Sequence, residues 1–231
     1  MEWFSTPYIL CLLVSFLFAM GCGLFYKIPL ESKYHVYFSK GIFWVVLINE
    51  IWWSLFRHFY LRVPLKDNLP LHISDFTFFI LLLGMATKKR IFCDLAYISG
   101  TSSIIFGLFF PYFNESGWVL PISIIRYYLT HMAIFGGGIY LTIGRRYFPT
   151  FKSYIYASLI TLCYSLITIP INFALETNYY YTAHPPPIAL PKWVVNLPWV
   201  GWYGGAVLFF LIMFYIFWLP MYFLRKRKNF K

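Results

Sequence analysis

The chain has 231 residues, 60% of them hydrophobic and 12% charged, with a mean hydropathy of +0.65 and a formal net charge of +11. So apolar a composition excludes a soluble domain and indicates an all-α polytopic membrane protein. The positive charge sits in short loops and the tail, where it encodes topology, so nucleic acid is not the expected partner.

A membrane-crossing helix needs roughly 20 apolar residues. Seven segments meet that length, at 7–26, 41–61, 69–87, 91–110, 122–143, 154–175 and 201–224. They form a single transmembrane domain over 1–231, ending in a basic tail at 225–231. The first lacks a basic leader and a small-x-small cleavage site, so it is read as a span and not as a signal peptide. The second carries Glu50 near mid-depth, with Ser54 and Arg57 on the same helical face; Arg57 and His58, near its end, are expected to snorkel to the interface. The third opens on "LPLHISD", which places His72, Ser74 and Asp75 in its first turns.

The fourth follows Lys88, Lys89 and Arg90, and Asp94 is expected to form an ion pair beside them. "NES" at Asn114–Ser116 is a glycosylation sequon. The fifth span carries Arg126 and His131 in its first half, then Gly136–Gly138, read as a close helix contact. The sixth contains Pro170, expected to kink it, and ends near Asn172 and Glu176. The segment "ETNYYYTAHPPPIALPKWVVNLPWVGW" is rich in Pro and aromatics, and is expected to lie on or dip into the interface above the polar groups.

Charge sets the orientation. Fourteen Lys and Arg fall on one side of the seven spans and three on the other, alternating loop by loop. The basic side is cytoplasmic, which puts the N-terminus outside and the C-terminus inside. The embedded polar residues then converge on the outer leaflet, where ionisable groups are costly and mark function.

Residues three or four apart share a helix face, and residues two apart do not. His72 and Asp75 are therefore expected to pair, while Ser74 points elsewhere. A hydroxyl nucleophile needs a base within reach, and the candidate at matching depth is His131. Arg126 is a candidate partner for Glu50, or for a phosphate or carboxylate of a lipid. The four cysteines form no CxxC pattern, so neither a metal site nor a disulfide framework is indicated, and no cofactor motif is present.

The order of "LPLHISD" (69–75), "IRYYLTH" (125–131), "INFALETNYYY" (171–181) and "LPWVGWYG" (197–204) resembles the YwaF-like bacterial integral membrane proteins. That group is similar to the transmembrane protein 164 family. The resemblance implies a lipid acyltransferase with a nucleophile on one helix and a histidine on another. Carried over by position, the nucleophile is Ser74, where the family usually has cysteine, and the histidine is His131. His72, Asp75, Arg126, Glu50, Asn172, Asn178 and Tyr179 are the expected supporting or substrate-binding residues, with Arg126 or Asn172 facing the oxyanion or headgroup. A serine is a weaker nucleophile than a thiolate and depends more on its base.

The expectation is a membrane enzyme of acyl transfer or ester cleavage, in the plasma membrane and acting on membrane lipids. The alternative is a transporter or receptor for a small polar solute or lipid, using Glu50, Arg126 and His131 as its path.

Overall fold

The computed structural model describes residues 5–113, 115–188 and 190–228. The sequon asparagine, Asn114, lies outside them. The described residues build a helical bundle without strands. Helix α1 spans Thr6–Leu24. Helix α2 spans Lys33–Leu55 and continues as a π-helical turn over Phe56–Tyr60. Helix α3 is Ile73–Thr87. Helices α4 (Arg90–Leu95) and α5 (Ser102–Phe109) form one column joined by a π segment, Ala96–Thr101. Helix α6 is Val119–Ile139, extended by a π turn to Gly144. Helix α7 is Phe151–Leu175, α8 is the short Lys192–Val195, and α9 is Trp199–Lys228.

These columns fall close to the seven expected segments. Among the described residues, five helices are long and apolar enough to cross a membrane: those starting at Thr6, Arg90, Val119, Phe151 and Trp199. Two columns differ from expectation. Helix α3 has 15 residues, about 22 Å at 1.5 Å per residue, against a hydrocarbon layer of about 30 Å. Helix α2 begins eight residues before the expected start, and its length includes His35, Ser39, Asn49 and Glu50. These polar groups lower its hydropathy because they face other helices: His35 and Ser39 are buried and Asn49 reaches α6.

Helix α6 is the centre of the bundle and packs on α1, α2, α3 and the α4–α5 column. Three consecutive glycines make this possible. A side chain at Gly136 would meet the Phe18 ring on α1, one at Gly137 would meet Leu81 on α3, and one at Gly138 would meet the Ala96 carbonyl. The run is thus a three-way helix contact. Helices α7 and α9 pack on each other beyond the α4–α5 column. Their outward residues, such as Leu166, Ile167, Val200 and Leu208, are apolar and exposed, as a lipid-facing surface requires. Pro170 sits inside α7, which runs through it to Leu175.

The basic end of the bundle is tied by polar contacts. Lys88 Nζ donates to Ser39 Oγ at 2.6 Å, and the Tyr140 hydroxyl donates to the His35 carbonyl at 3.0 Å. Asp94 is buried, accepts from the Tyr147 hydroxyl at 2.6 Å and pairs with Arg90 at 3.8 Å. That pair is the one expected at this face.

Candidate functional site

At the opposite end lies a cavity of about 820 Å³, bounded by α2, α3, α5, α6, α9 and the loop before α8. Ser74, His131, Arg126, Glu50, His72 and Asp75 all line it. Residues from three helices, far apart in sequence, therefore share one space.

Glu50 and Arg126 form its charged wall. Arg126 Nη2 donates to Glu50 Oε1 at 2.5 Å, and Thr130 Oγ1 donates to the same oxygen at 2.7 Å. Asn49 Nδ2 in turn donates to Thr130 Oγ1 at 2.7 Å. The Arg126 guanidinium lies 5.3 Å from the centre of the Trp53 ring, a cation–π contact. Arg126 and Thr130 are four apart on α6, and Asn49 and Glu50 are adjacent on α2, so two helical turns meet in one network. Arg126 Nε is buried without a hydrogen-bond partner.

His131 is fixed by its own helix. Its Nδ1 donates to the Tyr127 carbonyl at 2.9 Å, and the two rings stack 3.8 Å apart. A carbonyl only accepts, so the proton sits on Nδ1 and Nε2 keeps its lone pair. That is the tautomer a general base requires. The ring fits because residue 107 is glycine: a Cβ there would stand 3.1 Å from His131 Nε2 and 3.0 Å from the Tyr127 hydroxyl. The Tyr127 hydroxyl donates to the Gly107 carbonyl at 2.7 Å.

Ser74 is half-buried in the first turn of α3 and lines the cavity. The expected His72–Asp75 side-chain pair is not formed. Asp75 Oδ2 instead accepts the backbone N–H of His72 at 2.8 Å. His72 is the N-cap, so this carboxylate satisfies a helix-end donor. The His72 imidazole turns to the loop: its Nδ1 accepts from Tyr180 N–H at 3.4 Å, and its ring packs on Tyr179 and Tyr181.

Asn172, Asn178 and Tyr179 do not line the cavity. Asn172 is buried and all its polar atoms are engaged. Its Nδ2 donates to the Tyr179 carbonyl and Thr182 Oγ1, both at 2.8 Å. Its Oδ1 accepts from Tyr179 N–H at 2.7 Å and Thr177 Oγ1 at 2.9 Å. No donor is left for an oxyanion, which removes Asn172 from that role. Asn178 folds the loop on itself, accepting the N–H groups of Ala183 and His184. The Tyr179 hydroxyl donates to the Lys66 carbonyl at 2.6 Å and accepts from Leu69 N–H at 2.9 Å. It thereby ties this loop to the approach to α3.

These residues hold the cavity's roof. Tyr180 and Tyr181, which do line the cavity, both have positive φ, +60° and +53°. Non-glycine residues in that region are strained and need outside support. The support comes from Trp202 Nε1, donating to the Tyr181 carbonyl, and Trp199 Nε1, donating to the Thr182 carbonyl, both at 2.8 Å. Arg57, expected to snorkel, also lines the cavity and donates to the Asp67 carbonyl at 3.4 Å. Burial pushes the phenols of Tyr179, Tyr180 and Tyr181 up, so they stay protonated. Among the described residues no cluster of His, Cys, Asp and Glu is arranged to hold a metal ion.

Among the cavity residues that escaped the sequence reading are Trp53, Tyr127, Thr130 and Tyr181. Helical spacing would have found two of them, because Tyr127 is four before His131 and Thr130 four after Arg126. Comparison with known families then supplies the assignment. The TMEM164 family profile matches residues 3–222. The chain belongs to the TMEM164 family. Membership covers nearly the whole bundle, including every helix that lines the cavity. Neither the curated proteins nor the solved structures yield a match.

Proposed function

We propose that this TMEM164-family chain is a membrane-embedded lipid acyl-transfer or ester-cleaving enzyme. On this reading all seven columns span the plasma membrane, with the N-terminus outside and the cavity opening toward the outer leaflet. The observation that carries it is the shared cavity: a hydroxyl at Ser74 and an imidazole with a free Nε2 at His131 face one largely apolar space. Its volume, about 820 Å³, falls in the range of small-ligand sites, about 300–1,000 Å³. An acyl chain would lie along Phe78, Ile104, Phe209 and Phe210.

In the reaction, Ser74 Oγ forms a bond to the ester carbonyl carbon while its proton passes to His131 Nε2. The carbonyl oxygen becomes an oxyanion, and Arg126 is the cation on this wall placed to stabilise it or a lipid phosphate. Collapse breaks the ester C–O bond, and His131 returns the proton to the leaving alkoxide. The acyl group then passes to an acceptor hydroxyl or to water by the same steps. His72 and Asp75 act on the site through the roof and the helix cap. The transporter reading is weaker because the Glu50 carboxylate is already held by Arg126 and Thr130, and so is not free to carry a cation or a proton.

Lipidomics on membranes carrying Ser74→Ala and His131→Ala tests the proposal. Both variants should lose the acyl remodelling that the parent chain produces, and Ser74→Cys should retain it. Unchanged lipid profiles for both alanine variants, at normal protein level, would remove the catalytic assignment.

A further inference from the structure

Helix α7 carries polar residues at 158, 161, 165, 168 and 172, a 3–4–3–4 spacing that sets them on one face. All five are buried. Along the helix the stripe extends about 21 Å at 1.5 Å per residue. Its upper part is fully bonded. Thr168 Oγ1 lies 3.2 Å from Thr182 Oγ1, and Ser165 Oγ lies 2.8 Å from the Tyr203 hydroxyl of α9. Its lower part is different. Ser158 Oγ and Thr161 Oγ1 are buried and have no partner, although Ser158 is 9% and Thr161 4% exposed. In helices such hydroxyls ordinarily bond back to the preceding turn's carbonyl, and these two do not.

Both border a second cavity of about 40 Å³ between α7 and α9, which Ser165, Tyr203 and Tyr180 also line. The Tyr180 hydroxyl is a third buried group without a partner, near the hydroxyls of Tyr164 and Tyr203. A water needs 2–4 polar partners and a space of at least about 10–15 Å³ as measured by a water-sized sphere. Three unpartnered hydroxyls around a space of that size meet both conditions.

We propose that the α7–α9 seam is a water-binding site, in which ordered water bridges Ser158, Thr161 and the hydroxyls of Tyr180 and Tyr203. Tyr180 lines both cavities, so the seam abuts the large cavity from the side, beneath the roof. Resting on the acyl-transfer reading, the consequence is that water, the co-substrate of ester hydrolysis, has a store beside the site.

Radiolytic hydroxyl labelling of the full chain in lipid nanodiscs, read by mass spectrometry, tests the site without any activity measurement. Water held against a side chain generates the label in place, so Tyr203, which lines the seam and not the large cavity, should label at least about threefold faster than Tyr215, a lipid-facing residue 43% exposed. The double variant Ser158→Ala/Thr161→Val should lower that rate toward the Tyr215 value. Equal labelling of Tyr203 and Tyr215 in the parent chain overturns the site whether or not the variant folds. So does unchanged labelling in a folded variant. Loss of lipid turnover in Ser74→Ala with seam labelling intact would separate the two proposals.

Discussion

The Glu50–Arg126 pair allows the strongest quantitative test. Their side chains are 16% and 18% exposed, so solvent screens them weakly. Opposite charges with centres about 4 Å apart attract by about 4 kcal/mol at an effective dielectric near 20. Removing one partner leaves a lone charge against an apolar wall, and such changes cost about 3–5 kcal/mol. Removing both charges leaves amides that can still bond Thr130 and Asn49. Glu50→Gln and Arg126→Gln should therefore each destabilise strongly, and the double variant should be more stable than the sum of the two predicts. The expected coupling is about 2–4 kcal/mol, reduced on the Arg126 side by the contact with Trp53, which survives loss of Glu50. Equilibrium unfolding of the four proteins in the same lipid–detergent mixture measures it. Additivity within about 0.5 kcal/mol would refute the claim that these groups form one unit.

Gly138→Ala should cost more than Gly137→Ala. The new methyl at 138 meets the fixed Ala96 carbonyl at 2.6 Å, whereas at 137 it meets the movable end of Leu81; thermal unfolding should show a loss of about 1–3 kcal/mol or more at 138. Asn172→Ala should destabilise by about 1–3 kcal/mol, because it strands the buried Tyr179 N–H, and limited proteolysis should open the 177–198 loop. Lys88 supplies a pH dependence. Burial, helped by the nearby Arg145, pushes its amine down to about 8 from the usual 10.5. Its charge is therefore a cost to the fold below pH 8, relieved as pH rises from 8 to 10.5, where only the unfolded chain still holds the proton. The melting temperature of the parent chain should gain on that of Lys88→Met across this window, and parallel curves would disprove it.

The helices were legible because membrane spans announce themselves as apolar runs, and α1, α4–α5, α6, α7 and α9 follow them closely. Helix α2 was legible only in its second half. His35 and Ser39 sit inside the bundle, and a hydropathy criterion reads buried polar residues as loop. The convergence of Ser74, Arg126 and His131 was legible from depth and helix face. The roles within the motifs were not. His72 and Asp75 satisfy the i, i+3 rule, yet Asp75 meets the backbone of His72, because helix ends present unsatisfied N–H groups that compete for any nearby carboxylate. Asn172, Asn178 and Tyr179 stand out in the sequence, but their polar atoms are consumed in folding the loop and tying it to the approach to α3. Hydrogen-bond satisfaction depends on chain geometry that residue spacing does not carry.

The roof over the cavity also has a place in time. Tyr180 and Tyr181 are translated before α9, yet the carbonyls of Tyr181 and Thr182 are held by Trp199 and Trp202 at its start. A nascent chain that holds only its first six columns has all of Ser74, Arg126 and His131 but lacks the two indole donors that hold the Tyr181 and Thr182 carbonyls above them. The roof is thus completed only after α9 has been made, and premature termination before residue 199 yields a bundle that carries the candidate site residues without the two indole clamps above them.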